Sequence, residues 1–72
     1  MASERGVRGA IIDVISNSPT RRIQAKTIGD LKCVIGADGM RTLWLQQILA
    51  TMQHGREIRG FSLTRGTFYI QG

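Results

Sequence analysis

The sequence predicts an α+β domain: three helices followed by a C-terminal β-hairpin. Apolar residues recur at helical spacing in three separate stretches, Val7 to Ile15, Ile28 to Ile35 and Met40 to Met52. Turn-forming residues separate them, at Asn17-Ser18-Pro19, at Gly36 with Asp38-Gly39, and at Gly55. Then FSLTRGTFYIQ, residues 61 to 71, mirrors itself about Arg65-Gly66. Folded there, Thr64 meets Thr67, Leu63 meets Phe68, Ser62 meets Tyr69 and Phe61 meets Ile70. One face of that ribbon is apolar and the other polar, as a half-buried hairpin requires.

The first helix is expected over about residues 3–16. Ser3 can cap it, Glu4 suits its opening turn, and Val7, Ala10, Ile11, Val14 and Ile15 share one face. Pro19 ends it, because the residue before a proline avoids helical geometry. Thr20 to Ala25 is polar around one large anchor, Ile23, and reads as an extended piece or one short strand. A second helix is expected over about 26–35, with Ile28, Leu31, Val34 and Ile35 on one side, Cys33 on the other, and Gly36 as a left-handed terminator.

The third and longest helix is expected over about 39–54, with Asp38 as N-cap and Gly55 as its stop. Met40, Leu43, Trp44, Leu45, Ile48, Leu49 and Met52 form a broad apolar arc, which places Trp44 in the core. Thr42, Gln46, Gln47, Ala50, Gln53 and His54 occupy the rest and include no carboxylate. The hairpin is expected over about 57–71, with Gly60 inviting a bend or bulge. An isolated hairpin is marginal in water, so its apolar face must pack on the helices. The 72 residues amount to one domain, residues 1–72. Chains this short bury only about 60% of their unfolded surface.

Charge narrows the partner. Ten Lys+Arg oppose five Asp+Glu, a formal +5, and eight of the ten cations are arginines. Such a balance suits a polyanion, whose condensed counterions are released when clustered cations meet phosphates.

Other classes are disfavoured. One cysteine and one histidine supply neither a disulfide framework nor a metal-ligand cluster. Cys33 and His54 are the sole nucleophile–base option and fall on separate helices, so no enzyme is expected. The glycines of Gly36-Ala37-Asp38-Gly39 follow a helix rather than a strand, which is the wrong setting for a phosphate loop. No cofactor or small-molecule substrate is implied. The N-terminus lacks a long apolar segment and no apolar run nears the ~18 residues of a membrane span, so a cytoplasmic protein with no membrane partner is expected.

The stretch TIGDLKCVIGADGMRTLWLQQILATMQHGREIRG followed by FSLTRGTFYIQ resembles the winged helix-turn-helix superfamily, in element order and over nearly the whole chain. That resemblance implies a recognition helix, Asp38 to Gln53, in the DNA major groove, and a wing tip, Thr64 to Thr67, on backbone or minor groove. The residues suit it independently. Gln can bond adenine bidentately and Arg can bond guanine, each worth ~1–3 kcal/mol of discrimination. Candidate base readers are Arg41, Thr42, Gln46, Gln47 and Gln53. Candidate backbone or wing contacts are Arg21, Arg22, Lys26, Arg56, Arg59, Thr64, Arg65 and Thr67.

Double-stranded DNA is therefore the expected partner, and a small transcriptional or replication regulator the expected role. A bland alternative exists for each feature, since a Gln-rich face also suits a merely solvated helix. The rival function is a winged-helix interaction module that docks an acidic protein surface. RNA ranks third, because Tyr69 alone makes no stacking platform. Whether the chain forms a homodimer is open.

Overall fold

Ser3 opens the first helix as a cap, its side-chain oxygen accepting the Gly6 N–H at 3.1 Å. In this computed structural model, which describes residues 3–72, α1 spans Glu4–Asn17. Then come β1 (Arg22–Ala25), α2 (Ile28–Val34), α3 (Thr42–His54), β2 (Gly60–Thr64) and β3 (Thr67–Gln71). Ser18 is extended, with φ −89° and ψ 128°, and releases the chain into Pro19.

The hairpin pairs in the register its mirrored sequence implies, with Phe61 opposite Ile70 and Thr64 opposite Thr67. It is not alone, however. The extended piece after Pro19 is strand β1, which joins the free side of β3 antiparallel, Arg22 opposite Gln71 and Ala25 opposite Phe68. The sheet thus has three strands in the order β1-β3-β2. Period-2 alternation sends Ile23, Ile70, Phe61, Leu63 and Phe68 inward onto the helices. Arg22, Gln24, Ser62, Thr67 and Tyr69 point outward. Val7 and Ile11 from α1, Leu31 from α2, and Leu45, Leu49 and Met52 from α3 complete a fully buried core. Each such side chain contributes about 1.5–3 kcal/mol by leaving water.

Helix limits differ from the sequence expectation for local reasons. Thr27 accepts the Asp30 N–H at 3.1 Å, so α2 begins only at Ile28. Beyond its end Gly36 takes φ +68°, and the Ala37 N–H donates to the Lys32 carbonyl at 2.7 Å. That bond pins Ala37 in the core. Gly39, at φ +82°, cannot be helical, so α3 starts three residues later than expected. Asp38 is therefore not its cap. Arg41 stands at the N-cap with no side-chain hydrogen bond.

His54 is the last residue of α3, which ends at its expected stop, Gly55. Gly55 keeps φ −80°, and Arg56 takes the left-handed position at φ +64°. The Arg56 N–H donates to the Gln53 carbonyl and the Glu57 N–H to the Met52 carbonyl. As the sequence suggests for the approach to Gly60, the chain bends through residues 57–59 and enters the ladder at Gly60, opposite Gln71.

The largest correction concerns the apolar arc of α3. Trp44 is 51% exposed and Leu43 67% exposed, so neither is core. Steps of about 100° per residue put Leu43 nearly opposite the centre of the stripe formed by Leu45, Ile48, Leu49 and Met52, and Trp44 on its shoulder. The underlying domain covers that stripe and no more. Val34 on α2 is likewise exposed. Among the described residues no helix is long and apolar enough to cross a membrane.

Candidate nucleic-acid interface

The chain's five carboxylates are unevenly placed. Glu4 and Asp13 lie on α1, Asp30 on α2, Asp38 in the following turn, and Glu57 in the loop after α3. Helix α3 and all three strands carry none. Glu57 is already engaged, its Oε1 accepting from Arg8 Nη2 at 2.8 Å.

Between α3 and β2 runs a cleft of about 290 Å³, lined by Thr42 and Gln46 on the helix and Phe61 to Thr64 on the strand. Thr42, Gln46 and Gln53 share the shoulder of α3 that faces this strand, whereas Leu43, Gln47, Ala50 and His54 form the outermost crest. All of these side chains are exposed. The hydroxyls of the hairpin tie its tip together: Ser62 Oγ and Thr67 Oγ1 are 3.2 Å apart, and Thr67 Oγ1 donates to the Thr64 carbonyl at 3.4 Å. Arg65 and Gly66, the latter at φ +89°, project beyond that tie.

Lys26 belongs to the same end of the sheet. It follows Ala25, whose partner Phe68 adjoins Thr67. The wing-tip end thus collects Lys26, Thr64, Arg65 and Thr67, with Thr42 and Gln46 beside it across the cleft and Arg41 next to Thr42 in the chain.

The remaining cations gather elsewhere. Arg22 pairs with Gln71, and Gln71 with Gly60, at the opposite end of the sheet. Arg21 adjoins that row, its carbonyl accepting the Gly72 N–H at 2.7 Å, and the Arg59 N–H donates to the Gln71 carbonyl at 2.7 Å. Arg56 lies in the same α3–β2 loop. Four residue steps along β3 separate the two ends, about 14 Å. The structure does not bring Arg21, Arg22, Arg56 and Arg59 together with Arg65. Sequence order could not separate these groups, because the sheet pairing that divides them is long-range.

At that far end of the sheet Arg22 lies over the Tyr69 ring at 4.3 Å from its centroid. Two neighbours of the interface escaped the sequence reading. Ser62 lines the cleft. Leu43 stands on the crest of α3. Its spacing from Leu45, Ile48 and Leu49 was the available signal. No group of His, Cys, Asp and Glu among the described residues could hold a metal ion. No protein-family model, curated protein or solved structure matches the chain.

Proposed function

We propose that this chain is a winged helix-turn-helix domain that binds double-stranded DNA sequence-specifically, as a small cytoplasmic regulator of transcription or replication acting by site occupancy. One observation carries the reading: α3 and the sheet hold no carboxylate, while the chain's acids lie on the other elements and turns. Helix order, sheet order and a protruding basic hairpin tip are consistent with it.

In this reading the N-terminal half of α3 enters the major groove, which is about 12 Å wide and admits a helix. Gln46 and Gln47 bond adenine edges, Thr42 assists, and Leu43 on the crest meets a thymine methyl. Arg41, Lys26 and Arg65 flank them as phosphate or base contacts. Gln53 lies near the far end of the helix and reads a base only if α3 lies flat in the groove. The neutral crest of α3 enters without desolvating any charge.

The test is a salt titration of binding to a random duplex. Three phosphate contacts at the wing-tip end give a log–log slope of about −3, against about −5 for six. Arg65→Ala should lower the slope by about one unit and weaken binding to every sequence. An unchanged slope removes the wing from the interface.

A second reading has its own observation. Leu43 and Trp44 expose a neighbouring apolar pair at the start of α3, which suits docking on a protein with an acidic rim. Absence of measurable affinity for any duplex at low salt would favour it.

A further inference from the structure

We infer that the chain carries a second phosphate-binding pole at the root of the sheet, and that one monomer thereby holds two duplexes together. The inference rests on the proposed reading, in which the wing-tip end grips the first duplex. Arg21, Arg22, Arg56 and Arg59 converge on this root through the pairings of Gln71 and Gly72 and the loop after α3. A duplex seated against the wing tip and the start of α3 lies at the other end of the sheet from the root, four residue steps along β3.

Three features make the root a phosphate site rather than a scatter of solvated charges. First, the loop's one carboxylate side chain, Glu57, is bound to Arg8 of α1 and does not neutralise its neighbours. Second, the Arg22 guanidinium stacks over the Tyr69 ring, 4.3 Å from its centroid, which holds it on the outer sheet face. Third, Arg21 and Arg56 occupy left-handed backbone at φ 53° and 64°. Among the described residues glycine stands at the other positive-φ positions, Gly36, Gly39 and Gly66. At the root a long cation stands instead, against backbone preference, which is how strain retained for binding shows itself. Guanidinium forks match phosphate oxygens bidentately, so the partner is the phosphate backbone of a second duplex.

The experiment uses two duplexes, one carrying a donor fluorophore and one an acceptor, with energy transfer reporting their joining and anisotropy reporting capture of one duplex. The variant R21N/R56N/R59Q removes three root charges, and asparagine tolerates the left-handed backbone at two of them. Arg59→Gln alone is the milder companion should the triple variant melt early. Energy transfer should fall tenfold or more in the triple variant and about threefold in the single one, while affinity for one duplex changes less than twofold. Joining that survives the triple variant overturns the inference and points to self-association. Equal loss of joining and single-duplex affinity also overturns it, because the root then serves the first duplex. Wild-type chain that captures one duplex but never joins two ends the inference and leaves the proposed function standing. If no duplex is captured at all, the proposed function falls and this inference with it.

Discussion

Helices α1 and α3 are nearly equal in length and differently built. The 14 residues of α1 start with a hydroxyl cap, carry Glu4 at the positive end of the helix dipole, and place Arg8 in an ion pair with Glu57. The 13 residues of α3 follow Arg41, an N-cap with no side-chain bond, have no acid in the first turn, and give way at Gly55 to a left-handed arginine. Local interactions therefore support α1 at its N-terminus and leave α3 dependent on its buried stripe. A helix that forgoes caps and acids, and exposes Leu43 and Trp44 where it begins, is shaped by its surface as much as by its stability.

The largest expected effects test that dependence. Ile11 of α1 and Leu49 of α3 are both 0% exposed, and replacing either by Ala should cost about 2–5 kcal/mol by chemical denaturation. A loss at Leu49 far below that at Ile11 would mean that α3 packs loosely and that its stripe does not anchor it.

Next in size, Gln46→Ala should cost about 1–3 kcal/mol of binding on a preferred site and almost nothing on random duplex, read as paired affinities at one salt concentration. The fold should survive, because alanine favours the helix and Gln46 is exposed. Equal loss on both duplexes, or none, would show that this shoulder of α3 reads no base.

Smaller still, Trp44→Ala should cost about 1 kcal/mol, well below the about 3–5 of a buried tryptophan. A melting temperature that collapses would return Trp44 to a structural role. Finally, Arg41→Ser supplies the missing cap and should stabilise the domain by about 0.5–1 kcal/mol while weakening binding to DNA. Stabilisation with unchanged binding would place Arg41 outside the interface.

Much of the fold was legible in local pattern. The hairpin register followed from a palindrome of side-chain types about a two-residue turn, and the cap at Ser3 and the terminator at Gly36 followed from single residues. The buried residues of α1 were legible because Val7, Ile11 and Ile15 recur every four positions. Errors arose where a neighbour decided. Seven apolar residues between Met40 and Met52 look like one broad arc, yet Leu43 and Trp44 meet no covering element. The end of α3 was legible too: His54 is its last residue and Gly55 its C-cap, while the left-handed turn that follows falls on Arg56.

For the candidate site the division is similar. By itself the sequence determined that the outer face of α3 is free of carboxylates, that Arg65 tips a ribbon, and that the net charge is positive. These are properties of residue type and spacing, which survive any fold that keeps the elements. That the strands carry no carboxylate followed only when β2 began at Gly60, past Glu57. Only the tertiary structure decided which cations share a surface. Strand β1 crosses to pair with β3, so Arg22 lands opposite Gln71 while Lys26, four residues on, lies at the wing-tip end. Such pairings join residues more than forty positions apart, and no local periodicity encodes them; burial of Ile23 against Ile70 sets the register, and the charges follow.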